Sequence, residues 1–280
     1  MAVDRAQAAR DLNAKLRLEA VLRPRVHRIQ NATSLQVVQS LASTGSLPDV
    51  AGIEANSFEP VLRQHYDDVS RVFDHHVSSQ LPDDVAMTDQ EKAALAAALA
   101  AFFNRKSAEE AGLIGQTSAD QASRSVVLAN GEARRLREKD GQLLSMREKA
   151  VIAGTFFARH LAGRTSGIVI GATQLAAESS KLQESRILLG DDTPLDQTSA
   201  QGDAEHEWVT QGDDRVRVKP FNHRAADHQR RVIGTPFNVS GQRLLYPGDT
   251  SLGASLGNVR NCRCSAIPDV AAVASARRAA

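Results

Sequence analysis

No proline occurs between Pro82 and Pro194. Proline locks φ and lacks the amide proton that a helix interior needs, so its absence over such a run leaves the run free to be helical. Glycine sharpens the division. Only Gly45 and Gly52 fall in the first 110 residues, while the other 16 of the 18 lie in the last 170. The chain thus has two grammars: a helical one up to about residue 189, then one of short strands and turns after Gly190.

The helical part carries its own punctuation. An amphipathic segment runs from Asp4 to Leu22 and meets Pro24, and a second continues to Ala42 before Gly45. Ser57 has the chemistry of an N-cap, and Leu62, Tyr66, Val69, Phe73, Val77 and Leu81 follow at three- and four-residue steps, one stripe on a helix. Thr88 and Glu91 have the spacing of a capping box. Residues 118–189 continue the helical pattern with interruptions at Gly131, Gly141, Gly163 and Gly167, and put Val151, Ile152, Phe156 and Leu161 in a core. Beyond Gly190 the runs EWVT, RVRVK, PFNV and RLLYP, separated by turn residues, have the pattern of strands. The expected fold class is mainly α with a small C-terminal α+β module. The expected division is a helical region over 1–117, helices then short strands over 118–268, and a flexible tail over 269–280.

Composition bounds the partners. A 42% hydrophobic content permits one large core or two modest ones, and at 4% aromatic the packing leans on Ala, Val and Leu. A formal net charge of +1 argues against capture of the whole chain by nucleic acid or membrane. No uncharged apolar run reaches the ~18 residues that a bilayer span requires. The N-terminus lacks the apolar centre of a secretory signal, so a soluble chain in a reducing cytoplasm is expected. There, two cysteines make no disulfide framework.

Those two cysteines, Cys262 and Cys264, stand one arginine apart. With His223 and His228 they are candidates for four zinc ligands. The spacing argues the other way: Cys-x-Cys on a strand sends its sulfurs to opposite faces, and two histidines five apart share no helix face. The favoured reading is therefore structural, with one thiol buried as a small hydrophobe and the other near the surface, and zinc is the alternative, so no metal ligand or cofactor is assigned. A nucleophilic cysteine with His223 as base is a further arrangement, with no flanking motif to support it. Residues 215–231 form the most basic window, with Arg215, Arg217, Lys219, Arg224, Arg230 and Arg231 against Asp227 alone. This window either meets DNA phosphates or an acidic protein surface, or is a solvated face balanced by Asp203, Glu205, Glu207, Asp213 and Asp214. Tyr246 to Asp249, YPGD, is a turn by mechanism.

The order of short motifs adds a resemblance. EWVTQGDDRVR, NHRAADHQ, GTPFNVSGQRLLYPGD and NVRNCRC follow one another over about 60 residues. This series resembles the phage head-morphogenesis family, minor head proteins related to the F protein of phage Mu. The matching positions are Trp208, Thr210, Asp213, Asp214, Arg215, Val216 and Arg217, then His223 and Asp227, then Phe237, Val239 and Gly241. Pro247, Gly248 and Asp249 follow, and last Asn261, Cys262, Arg263 and Cys264. The looser match covers residues 118–268. It departs from the family where Ala-Arg-Thr-Glu is usual, since this chain has Ala153, Gly154, Thr155 and Phe156, and where His228 replaces a glycine.

The resemblance implies a non-enzymatic minor capsid protein of a tailed phage or prophage. Such a protein enters the procapsid in few copies near the portal and assists head assembly and DNA packaging or delivery. Implied partners are the portal protein, major capsid or scaffold proteins and packaged double-stranded DNA, with no membrane. The implied place is the head interior, after assembly in the host cytoplasm. A particle-carried enzyme or toxin using His223, Asp227, Cys262 and Cys264 is the alternative; the lost Arg and Glu weaken it.

Overall fold

The computed structural model describes residues 5–211, 216 and 218–280. Four long helices come first: α1 (Arg5–Thr44), α2 (Val50–Phe73), α3 (Asp89–Asp140) and α4 (Met146–Leu188). Short elements follow: β1 (Glu205–Val209), β2 (Arg230–Val232), β3 (Phe237–Val239), β4 (Gln242–Leu244), α5 (Leu256–Val259), β5 (Ser265–Pro268) and α6 (Val270–Ala279). The chain is mainly α with a small C-terminal module of short antiparallel strands, as its sequence pattern predicts. Among the described residues, no helix is long and apolar enough to cross a membrane.

Several helix boundaries differ from the sequence expectation, each for a local reason. Pro24 lies inside α1 instead of ending a segment. Its cost of about 3 kcal/mol is opposed by Leu22 and Val26, both fully buried on either side of it. Ser57 lies inside α2, where its hydroxyl donates back to the Ile53 carbonyl at 2.7 Å. The N-terminal cap of α2 is Asp49, whose Oδ1 accepts the Gly52 amide at 3.0 Å. The Thr88–Glu91 box forms as expected: Glu91 Oε2 accepts the Thr88 amide at 2.7 Å, and Thr88 Oγ1 accepts the Glu91 amide at 3.2 Å. Gly131, Gly163 and Gly167 are carried within helices. Of these four interruptions only Gly141, at φ +67°, follows a helix end.

Contacts divide the chain into two compact units, one of Met1–Ala20, His65–Phe103 and Ile170–Ala280, the other of Val21–Gln64 and Asn104–Val169. Each long helix has residues in both, so the division expected at 117/118 is not the one the fold draws. In the second unit the core joins Val37, Leu41 and Val50 to Phe157 and Leu161 over the small residues Ala122, Ala129, Ala150 and Ala153. The buried face of α4 keeps Leu161 as expected but differs at the other positions. Phe157 fills the core, Phe156 and Ile152 are half-buried, and Val151 is exposed. Alanine and glycine let backbones meet here: a Cβ on Gly115 would overlap the Ala51 carbonyl oxygen of α2.

In the first unit Tyr66, Val69 and Phe73 are buried as their stripe predicts; Val77 and Leu81 are buried too, but beyond the end of α2 at Phe73 and not on the one helix the stripe implies. The strands form an antiparallel sheet in the order β2–β1–β5 and a separate β3–β4 pair. Val239 pairs with Gln242 across a two-residue turn whose members, Ser240 and Gly241, both have positive φ, the conformation that suits strand twist in a tight hairpin. The expected strand RVRVK is not observed at its described positions: Val216, Val218 and Lys219 belong to no strand, and Arg215 and Arg217 lie outside the described residues. Residues 269–280 are not a tail. Asp269 caps α6, Val273 and Ala274 are buried, and Arg277 pairs with Glu91 at 2.7 Å.

Gly115→Ala is expected to destabilise the second unit by about 1–3 kcal/mol, the usual cost of overpacking a close contact. Thermal melting followed by far-ultraviolet circular dichroism checks this, and an unchanged melting temperature would refute the close approach.

Candidate functional site

The C-terminal half of α4 organises the site. Every residue from Ala172 to Arg186 is buried, although ten of them are polar or charged. A buried ion must find partners, and for Glu178 and Lys181 they come from Lys15 and Asp11 of α1, first members of a four-residue repeat that Glu19 completes. Lys181 Nζ lies 2.8 Å from Asp11 and 2.9 Å from Glu178. The Lys15 ammonium donates to Glu178 at 2.5 Å and to Gln174 Oε1 at 3.0 Å.

The same polar ridge grips the chain around the cysteines. Gln174 Nε2 donates to the Cys264 carbonyl at 2.6 Å and to the Pro247 carbonyl at 3.3 Å. Glu178 Oε2 accepts the Ala266 amide at 2.8 Å. Arg263 makes a bidentate pair with Glu19, both contacts at 2.9 Å. Gly248, at φ +100°, passes close to Gln174, where a Cβ would lie 3.1 Å from its Cγ. Asp249 closes the YPGD turn by accepting the Leu245 and Ser251 amides at 2.8 and 2.7 Å.

Within that frame Asn261 takes φ +57°, a left-handed conformation that asparagine tolerates. Cys262 and Cys264 follow in irregular backbone and β5 begins only at Ser265, so the alternation of a strand does not apply to them. Both thiols turn to the same imidazole. Cys262 Sγ lies 3.5 Å and Cys264 Sγ 3.6 Å from His223 Nδ1, and the three donor atoms lie within 4.8 Å of one another. The expectation of sulfurs on opposite faces is thereby corrected. Both are buried, so the expectation that one of them lies near the surface is corrected as well. A hydrogen bond from the Cys264 thiol holds Cys262 well below the ordinary thiol range. The same bond, with burial, pushes Cys264 well above it.

His223 is oriented from its far side. Its Nε2 lies 2.9 Å from both the carbonyl oxygen and the Oδ1 of Asn258. The Asn258 amide is itself fixed, since Nδ2 donates to the Val239 carbonyl at 3.1 Å and to Gln242 Oε1 at 3.0 Å. Two acceptors at Nε2 put the proton there and leave the Nδ1 lone pair facing the sulfurs. Trp208, fully buried, packs edge-on against His223 and Phe237 with centroids 5.9 and 5.3 Å apart. A cavity of about 310 Å³ opens beside the cluster, lined by His223, Cys262, Cys264, Asn261, Arg263 and Gln211 among others.

Other candidates lie elsewhere. His228 is half-exposed and pairs with Glu207 at 2.6 Å, so it does not join the thiols. Asp227 accepts the Thr210 amide at 2.7 Å, a structural bond between loop and strand. Asp214, Arg215 and Arg217 lie outside the described residues. In the basic window Lys219 and Arg224 are exposed and Arg231 is half-buried. Arg230 is drawn into pairs with Glu205 at 3.1 Å and Asp269 at 3.0 Å. Sequence reasoning missed Asn258, Glu19, Gln174 and Glu178. The repeat of Asp11, Lys15 and Glu19 was the available signal for a polar helix face.

Next to the site, buried His206 stacks on Phe237 with centroids 4.4 Å apart, and burial pushes its pKa down to about 3. The unfolded chain therefore takes up this proton first as pH falls. The stabilisation is complete above the unfolded value near 6.5 and is lost progressively down to about 3. His76, pushed down to about 4, acts in the same sense. Glu184, pushed up to about 7 by burial, acts oppositely, since its stabilisation is lost as pH rises from 4.5 towards 7. Comparison with His206→Phe isolates one group. Between about pH 7.5 and 5.5 the parent chain is expected to lose ~1.4 kcal/mol more stability than this variant. Urea unfolding followed by fluorescence of Trp208, the sole tryptophan, reads the difference, and equal losses would show that His206 takes up its proton at an ordinary pKa.

No family model, curated protein or solved structure matches the chain, so its chemistry rests on these residues.

Proposed function

We propose that the chain is a minor head-morphogenesis protein of a tailed phage or prophage. In this reading it is assembled in few copies near the portal, where it assists head assembly and DNA packaging or delivery. The observation that carries the reading is the shared destination of the ordered motifs. Trp208, His223 and the Asn261–Cys264 segment meet at one buried cluster, and Asp227 and Pro247–Asp249 bind the backbone around it. Residues separated in sequence thus serve one small module, which supports reading the motif series as a unit. The resemblance supplies the function of that unit.

Their bonds are of a structural kind. Arg263 is tied to Glu19, Asp249 to backbone amides and Asp227 to Thr210. This favours a non-enzymatic role; the place inside the particle comes from the resemblance alone. For contact with packaged DNA or an acidic portal surface, exposed Lys219 is better placed than Arg230, whose charge already has three acidic neighbours in Glu205, Glu207 and Asp269. A second reading, a particle-carried enzyme, draws on the Cys262–His223 contact at the cavity wall.

Quantitative mass spectrometry of procapsids and mature heads from the encoding strain tests the proposal. A low and reproducible ratio to portal subunits is expected. Absence from both particles would overturn it and favour a cytoplasmic enzyme.

A further inference from the structure

We propose that His223, Cys262 and Cys264 bind a single zinc ion through Nδ1 and two sulfurs, with the fourth coordination position open to the adjoining cavity. The first support is metric. Zinc–nitrogen and zinc–sulfur bonds of about 2.05 and 2.3 Å, set at a tetrahedral angle of about 109°, place a ligating nitrogen and sulfur ~3.6 Å apart. The two observed separations are 3.5 and 3.6 Å.

Hydrogen bonding alone accounts poorly for this arrangement. The Nδ1 lone pair can accept one good hydrogen bond, yet two sulfurs approach it at nearly equal distance, and both are buried. A cation at the centre of the triangle satisfies all three donors at once.

The surroundings add a second, independent support. A metal-ligating imidazole donates its other N–H to a carbonyl or carboxylate, which fixes tautomer and ring plane. His223 Nε2 meets two oxygens of Asn258, whose own amide is fixed by Val239 and Gln242. The donor set also selects the metal. Two thiolates and an imidazole suit zinc, while calcium and magnesium require oxygen. Among the described residues no fourth donor joins the three. All three line the cavity, so water, or a small anion entering beside Gln211, completes the tetrahedron from that side. His228, held by Glu207, is excluded from the set.

The test uses the full-length chain, purified without chelator from zinc-supplemented medium. About one zinc per chain is expected by elemental analysis, with X-ray absorption showing two sulfurs at ~2.3 Å and the remaining shell of nitrogen or oxygen. Cys262→Ser and Cys264→Ser are expected to abolish stoichiometric zinc, and His228→Ala to retain it. Should the serine variants fail to fold, cobalt(II) titration of metal-stripped parent protein decides: a thiolate charge-transfer band should saturate at one equivalent. Asn258→Ala is expected to weaken zinc binding about 10–100-fold in competition with a chelating dye, the usual loss when the partner of a ligating histidine is removed. Folded parent protein without zinc and without the cobalt band would overturn the site. So would X-ray absorption showing fewer than two sulfurs, or zinc retained by the doubly substituted Cys→Ser chain. These outcomes are independent of whether the chain enters phage heads.

Discussion

A helix half that is buried on all sides yet mostly polar sets the terms for the first unit. Burying an unpaired ion costs several kcal/mol, so Glu178, Lys181, Glu184 and Arg186 of α4 are tolerated only with partners in place. Those partners come from distant parts of the chain. Asp11 and Lys15 of α1 meet Lys181 and Glu178. The Val77 and Ser78 amides both donate to Glu184 at 2.8 Å. The carbonyls of Thr193, Pro194 and Gln197 accept from Arg186. A network of this kind contributes less to net stability than an apolar core of equal volume. What it does is make alternative registers costly, because any slip leaves a charge unpaired.

The cysteine segment inherits its shape from that network. Gln174 and Glu178 hold the Cys264 carbonyl and the Ala266 amide, and Arg263, between the two thiols, is held by Glu19. With the backbone pinned on both sides of each sulfur, the thiols have little freedom, and their meeting at His223 is built in by helices far away in sequence. On the opposite side Asn258 fixes the imidazole. The cluster is therefore preorganised from two directions, as a metal site needs if binding is not to require ordering of its ligands. For a protein proposed to sit inside a phage head, a zinc-locked module would keep one conformation without a disulfide, which a reducing cytoplasm would not sustain.

What could be read from the sequence was local. The proline-free run, the Thr88–Glu91 box, the stripe from Leu62 to Phe73 and the turn residues after Gly190 each act through neighbours a few positions away, and each was legible. The readings that failed were also local, but were overridden by packing. Pro24 stays inside a helix because buried neighbours hold it there. Ser57 yields the cap of α2 to Asp49. Val151 is exposed while Phe157 joins Leu161 in the core. The basic window carried two readings, and Arg230 follows the balanced one, with acids on β1 and before α6.

The candidate site divides along the same line. Sequence alone determined the helical class, the strand-rich C-terminal module and the candidacy of His223, Cys262 and Cys264, since these depend on residue type, period and order. It argued against their meeting, because Cys-x-Cys spacing implies divergent sulfurs on a strand. Only the tertiary structure decided otherwise. Beside the left-handed turn at Asn261, the grip of Gln174 and Glu178 on the backbone and the Asn258 brace on His223 are contacts across 35 to 90 residues of chain. No local periodicity encodes such distances; they are set by which buried charges of α1 and α4 must find one another.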